Sequence, residues 1–351
     1  MPLETIYAFI DELRKRKLLK APQLDEIERI LKPRFSGSML LAKELVRRGW
    51  LTVYQVNQLF QANGQELTLG PYRIMDHLGK GGVSQVFKAW HAERNCPVAL
   101  KVIHSHLLDN AEAVGRFQRE MKAVLRLSHP NIVQSFGDDA LGEAHFFAME
   151  FVQGTSLDKL VQLSGSLPIP QACDFIRQAA LGLQHAHEKG LVHRDIKPAN
   201  LVQIAGGSVI KILDFGLARL QRSPDSKSGP AVALTMEGAI IGTADFMAPE
   251  QARDARSADI RSDIYSLGCT FYFLLTGQPP YPGNALMHKL YQHINAEPPV
   301  PEQKRPEVPA EVSAIVRKMM AKKPDERYPT PAEVAEALGP FCRQVPPAEA
   351  S

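Results

Sequence analysis

Five short stretches of this chain hold residue types that can grip phosphate or move a proton. The first is Leu78-Gly79-Lys80-Gly81-Gly82-Val83-Ser84-Gln85-Val86, set between two predicted strands. Glycines there let a tight hairpin lay its backbone N–H groups against phosphate. A dinucleotide-binding turn is excluded because no helix follows the glycines. An ordinary glycine-rich hairpin is the plain alternative. The second stretch is Val98-Ala99-Leu100-Lys101, a lysine at the end of an apolar strand. Burying an ammonium is costly unless it meets an anion. Glu120 on the following predicted helix is one candidate, and bound phosphate is another. The remaining stretches are His193-Arg194-Asp195-Ile196-Lys197-Pro198-Ala199-Asn200, then Asp214-Phe215-Gly216 behind an apolar run, then Gly242-Thr243 followed by Ala248-Pro249-Glu250.

In this order and spacing the five stretches resemble the eukaryotic-like (Hanks-type) Ser/Thr protein kinases of the bacterial kind, over about residues 72–340. The resemblance implies an α+β, bilobal protein-kinase fold: an antiparallel β-rich N-lobe and a helical C-lobe, here preceded by a small all-α module. It also implies ATP-dependent phosphorylation of serine and threonine hydroxyls on proteins, autophosphorylation included, with ATP and Mg²⁺ as cofactors. By the same resemblance Lys101 holds the α/β-phosphates and is oriented by Glu120. Asn200 and Asp214 ligate Mg²⁺. Asp195 accepts or orients the substrate hydroxyl proton, Lys197 offsets γ-phosphate charge, and Thr243 bonds Asp195 and Lys197.

Further roles carry over in the same way. Gly79, Lys80, Gly81, Gly82, Val83 and Ser84 form the phosphate-covering loop. Leu78, Val86 and Ala99 sandwich the adenine, Met149 is the gatekeeper, and the backbones of Glu150 and Val152 read the base edge. Asp263 braces the catalytic loop, and Glu250 pairs with Arg327. Lys197 together with Gly242-Thr243 resembles the Ser/Thr subclass rather than the tyrosine one. Ser84 departs from the family, which often has a third glycine there; a serine can still approach and donate to phosphate.

Thr235, eight residues before Thr243, matches a position where related bacterial kinases carry an autophosphorylated threonine. Two residues later those relatives often have a second threonine, and this chain has Glu237, whose carboxylate can mimic part of a phosphate. The rival reading is a pseudokinase scaffold. It would be expected to lack one of Lys101, Asp195, Asn200 or Asp214, and all four are here. A small-molecule phosphotransferase is a second rival, against which the Ala248-Pro249-Glu250 segment and the long loop before it argue.

Stepping outward, residues 1–68 read as helices with a faint internal repeat at an offset of about 32. Leu40, Leu41, Leu45 and Val46, then Val53, Val56, Leu59 and Phe60, fall at helical spacing. Trp50, Tyr54 and Leu59 are expected on a buried or partner-facing stripe. Gly70-Pro71 ends this part. Strands are expected over 72–78, 85–90 and 97–103, a helix over 112–127, and short strands near Ile132 and Phe146. Residues 296–309 read as a surface loop and 341–351 as a tail. With 41 basic against 38 acidic residues, nucleic-acid binding is not expected. No apolar run reaches a membrane span. The four cysteines lack paired spacing, which fits reduced thiols in the cytoplasm. Protein substrates are expected partners, with a protein partner for residues 1–68 a further possibility.

Overall fold

The computed structural model describes residues 5–61, 66–80, 84–103, 111–141, 144–215, 244–254 and 257–342. It divides into two compact units: Met1–His106 with Phe136–Phe151, and Leu107–Ser135 with Val152–Ser351.

The first unit opens with α1 (Ile6–Lys15), α2 (Ala21–Glu26, continuing as a π turn over Ile27–Leu31), α3 (Ser38–Arg47) and α4 (Val53–Phe60). The sequence repeat is a structural one. Helices α1 and α3 are each 10 residues long and start 32 positions apart. Each carries the same (i, i+4) ion pair, Arg16 on Glu12 at 2.5 Å and Arg48 on Glu44 at 2.7 Å. Each following helix is capped by the same glutamine. Gln23 Oε1 accepts from the Lys20 amide and Gln55 Oε1 from the Thr52 amide, both at 2.9 Å. Leu13, Leu19 and Ile27 are buried, as are their counterparts Leu45, Leu51 and Leu59. Leu40 and Val53 lie in α3 and α4, as their spacing indicates, and are 49% and 62% exposed.

A six-stranded sheet follows in the order β1-β2-β3-β4-β6-β5. Its strands are β1 (Thr68–Leu69), β2 (Tyr72–Lys80), β3 (Ser84–His91), β4 (Cys96–Ile103), β5 (Ser135–Leu141) and β6 (Ala144–Glu150). The strand expected near Ile132 lies instead at Ser135–Leu141, and Ile132 makes only an isolated bridge to Ile212. Register sorts the side chains by face, because strand side chains alternate. Val86 pairs with Lys101, Lys101 with Phe147, and Ala99 with Met149, so these share one face. Phe87 pairs with Leu100, Ala89 with Val98, and Leu100 with Ala148, so these share the other. That second face, with Tyr72, Ile74 and Phe146, is continuous in one apolar cluster with Phe9, Leu13, Ile27, Leu45, Val56 and Leu59 of the helices. Trp50 and Tyr54 pack on the same cluster, and the Tyr54 ring lies 6.5 Å from that of Phe87.

In the second unit α5 (Ala111–Val124) is followed by α6 (Leu157–Ser164), α7 (Ile169–Glu188) and a small sheet of β7 (Gly154–Ser156), β8 (Leu201–Ile204) and β9 (Ile210–Ile212). The amide of Asn131 donates to Gln178 Oε1 and to the Ile210 carbonyl, both at 2.9 Å, and Gln178 Oε1 accepts from the Ile210 amide at 3.0 Å. This network fixes β9 on α7. Gly182 permits the approach, since a Cβ there would meet Ile212 Cδ1 at 2.8 Å. Helix Ile260–Thr276 is buried on nearly every side, its polar Ser262, Asp263, Ser266 and Thr270 included. Asp259 caps its start and Gly277, at φ 77°, ends it. The segment 296–309 is less of a surface loop than expected: it holds a short helix, Pro301–Lys304, and buries Pro301 and Val308.

Two buried polar clusters give tests of this unit. Arg327, with a fully buried side chain, grips Glu250 through two bonds of 2.7 and 2.8 Å, and Ser262 Oγ donates to the same carboxylate at 2.6 Å. Burial pushes Glu250 up, but the Arg327 guanidinium and Ser262 more than offset it and leave its pKa lowered. Arg327→Met should therefore strand a buried carboxylate and cost about 3–5 kcal/mol, while adding Glu250→Gln should recover much of the loss. Denaturant unfolding of the two variants measures both. Elsewhere His293, fully buried, lies 2.9 Å from the Tyr265 hydroxyl through Nδ1. Burial pulls its pKa from 6.5 down to about 3, and the Lys322 ammonium adds to this. As pH falls below 6.5 the unfolded chain takes a proton that the folded chain refuses. This group's contribution is thus complete above pH 6.5 and is lost as pH drops toward 3. Melting temperatures measured from pH 7.5 to 4 should fall more steeply for the wild type than for His293→Asn; equal slopes would exclude His293 as a source.

Candidate active site

The nucleotide residues expected on the first unit gather on the sheet face opposite the helices. Lys101 on β4 is only 6% exposed. Its cross-strand neighbours are Val86 and Phe147, and Ala99 lies two residues before it beside Met149. Ala99 pairs with Lys88 and Met149, and its small side chain shares the face of Val86 and Lys101. Leu78 sits where the β2–β3 register slips between His77 and Gly79, and it is 47% exposed. Ser84 opens β3, pairs with Ile103 and is buried, and Gly79 and Lys80 close β2. Glu150 ends β6, and Val152 opens the second segment of the second unit. Gly81, Gly82 and Val83 lie outside the described residues, as does the Glu120 side chain, although its backbone is part of α5.

In the second unit a loop and a helix are locked together by one carboxylate. Asp263, fully buried, accepts from the amides of His193 and Arg194 at 2.7 Å each, one per carboxylate oxygen. Burial raises its pKa, and the two amides and the adjacent Arg194 guanidinium oppose that rise. The His193 ring continues the connection. Its Nδ1 accepts from the Asp195 amide at 3.2 Å, so its Nε2 carries the proton and donates to the Leu213 carbonyl at 2.7 Å. The Phe215 ring stands edge-on to it at 4.6 Å. Leu213 in turn donates its amide to the Asn200 carbonyl at 2.8 Å. The Arg194 carbonyl accepts from Gln251 Nε2 at 3.0 Å. Arg194 and Asp214 hold φ values of 69° and 65°, a left-handed conformation that non-glycine residues rarely take. Such residues persist where surrounding bonds over-determine them, as these do.

This lattice brings Asp195, Lys197 and Asn200 together. Asp195 Oδ2 lies 2.9 Å from Lys197 Nζ and 3.1 Å from Asn200 Nδ2, which also donates to the Asp195 carbonyl at 2.8 Å. Asp195 Oδ1 is buried without a hydrogen-bond partner among the described residues. Because the amide nitrogen of Asn200 is committed to Asp195, its Oδ1 is the atom left to serve as a ligand. With the Asp214 carboxylate after β9 this gives two hard oxygen donors, a set that fits Mg²⁺. Thr243, Thr235 and Glu237 lie outside the described residues.

Sequence reasoning passed over three participants. His193 has no role assigned by its motif, yet it bridges the loop to the residue before Asp214. Gln251 follows Glu250 and gave no signal. The third is Lys289, buried, whose ammonium sits 2.5 Å from Asp245, two residues past Thr243. Burial raises the Asp245 pKa and Lys289 opposes it.

Comparison with known proteins agrees with this arrangement. Residues 72–338 match the protein kinase domain family. The chain is 38% identical over 271 residues to serine/threonine-protein kinase PknB of Mycobacterium leprae, covering 76% of this chain and 42% of that protein. It is 35% identical over 269 residues to the probable serine/threonine-protein kinase SCO3848 of Streptomyces coelicolor, covering 76% and 39%. The chain thus spans about two fifths of the length of these curated relatives. Among solved structures it resembles the Mycobacterium tuberculosis PknI kinase domain, with a TM-score of 0.61 and 26% identity over 78% of this chain and 98% of that one. It also resembles Rad53 1–466 in complex with AMP-PNP, with a TM-score of 0.62 and 25% identity over 77% and 65%. With its family match covering most of its length, the chain belongs to the protein kinase family.

Proposed function

We propose that this chain is a protein serine/threonine kinase that transfers the γ-phosphoryl group of ATP to hydroxyls on protein substrates and on itself, in cytoplasmic signalling. The observation that carries this reading is the Asp195 carboxylate, held through Oδ2 by Lys197 and Asn200 with Oδ1 buried and unbonded among the described residues. Its relatives' names, and the nucleotide analogue bound to Rad53, point the same way.

The chemistry asks little covalent help from the protein, because the phosphoryl group in transit needs mainly orientation and positive charge. Asp195 Oδ1 orients the attacking hydroxyl and accepts its proton. Lys197 sets the position of that carboxylate and places a positive charge beside it for the γ-phosphate. On the first unit Lys101 is the cation for the α/β-phosphates, oriented by Glu120, and the hairpin from Gly79 to Ser84 covers them. Leu78, Val86, Ala99 and Met149 form the adenine surface, and the backbones of Glu150 and Val152 read its edge. Mg²⁺, when bound, would neutralise phosphate charge, with Asn200 and Asp214 as its protein ligands. By the family resemblance Thr243 would bond Asp195 and Lys197 in the closed site. A scaffold without activity has no observation in its favour. The near-balanced charge speaks against a nucleic-acid substrate, and among the described residues no helix is long and apolar enough to cross a membrane.

Asp195→Asn should remove the proton acceptor while keeping the shape. Single-turnover transfer to a basic protein should drop by about 10²–10⁴-fold, with Mg²⁺-ATP affinity in a binding titration close to wild type. Lys101→Ala should cripple turnover through misplaced phosphates. Full activity in the Asp195 variant would sink the mechanism. For the loop that precedes Ala248, we propose Thr235 as the autophosphorylation site and Glu237 as a source of basal activity, since a carboxylate supplies about one charge where phosphothreonine supplies about 1.5–2. After incubation with Mg²⁺-ATP, phosphopeptide mapping should find Thr235 modified. Thr235→Ala and Glu237→Gln should each slow transfer; an unmodified Thr235 and two unimpaired variants would dispose of the idea.

A further inference from the structure

Strand β2 leads into the glycine-rich hairpin, and it is irregular. Its pairing with β3 jumps from Ile74–Ala89 to Asp76–Lys88, which leaves Met75 out of the ladder. A bulge of this kind turns backbone carbonyls away from the neighbouring strand, and each must find another donor. Both donors come from the start of α4. Gln55 Nε2 donates to the Ile74 carbonyl at 2.6 Å, and Thr52 Oγ1 donates to the Met75 carbonyl at 2.5 Å. Gln55 is 1% exposed, so its amide is a built contact and not a surface coincidence. Arg73 adds a third tie from the strand to the helices, donating to the Leu18 carbonyl at 2.8 Å. Three residues beyond Met75 stands Leu78, then Gly79.

The repeat shows what is special here. In both copies a glutamine caps the backbone of the residue three before it. Only in the second copy is that preceding residue a threonine, where the first has Lys20. Thr52 and Gln55 thus serve twice, closing the helix start and holding the strand. We propose that Thr52 and Gln55 are positioning residues for the nucleotide-binding hairpin, and that the helical repeat acts on phosphate binding through the β2 bulge. This rests on the kinase reading above for what the hairpin binds, and on the β2 geometry alone for how it is held.

Four full-length proteins test it: wild type, Thr52→Ser, Thr52→Asp and Gln55→Met. Serine keeps both the cap and the donated bond. Aspartate keeps the cap but, ionised, cannot donate to Met75. Methionine keeps the length of Gln55 and removes its donor. Thr52→Ser should match the wild type. The other two should raise the KM for ATP about five- to tenfold, the size of one hydrogen bond, while the KM for a generic basic protein stays within about twofold. Hydrogen exchange should quicken over residues 72–80, with protection of 53–60 retained in Thr52→Asp. If ATP KM and exchange over 72–80 are unchanged in both variants, the proposal is wrong. If exchange quickens equally throughout the helices, the two residues only hold the repeat together, and the proposal is again wrong. Should even the wild type fail to transfer phosphate, it is the kinase reading that fails. Exchange over 72–80 and a direct Mg²⁺-ATP titration still decide the role of Thr52 and Gln55.

Discussion

The two-residue alternation of β3, β4 and β6 is the constraint on which the first unit depends. A strand must offer its odd and even side chains to different surroundings. Here Val98, Leu100, Phe87 and Ala148 turn to the helices, while Ala99, Lys101, Val86 and Met149 turn the other way. A one-residue slip would exchange the two sets and place Lys101 in the apolar cluster. The helices therefore hold in register the strands that carry the lysine. Because both faces are enclosed, β4 reads as an almost unbroken apolar run.

In the second unit the corresponding anchor is Asp263. A buried carboxylate is tolerable only when its lone pairs are satisfied, and two backbone amides satisfy them. Backbone donors constrain more than side chains would, because they fix the path of the loop itself. From there the order passes through His193 to Leu213, and through Leu213 to Asn200. The left-handed turns at Arg194 and Asp214 are consequences of that closed circuit.

Much of this was legible in the sequence. The motifs carried a family resemblance, and that resemblance implied the fold, the grouping of Asp195, Lys197 and Asn200, and the Glu250–Arg327 pair. The helical repeat was visible because its ion pair and its capping glutamine recur at a fixed offset. The destination of the helices was not legible. Apolar spacing marks a helix and does not tell what its faces meet: Leu40 and Val53 share the spacing of Leu41 and Val56 and face solvent. The bonds of Thr52 and Gln55 to a strand about 20 residues away were hidden because both residues already had a local use as caps. His193 was hidden for a similar reason, since a ring that bonds only backbone has no partner residue type to betray it.

The duplicated helices also bear on how such a chain can change over generations. Two copies that keep the same Glu–Arg pair and the same glutamine differ at the cap, Lys20 against Thr52, and at most other positions. Once the second copy had settled on the sheet, the strand positions beneath it lost their freedom. A descendant that shed the helices would leave Phe87, Leu100, Phe146 and Ala148 facing water, and it could persist only by turning them polar in the same lineage. The helices and the strands are thereby inherited as one piece.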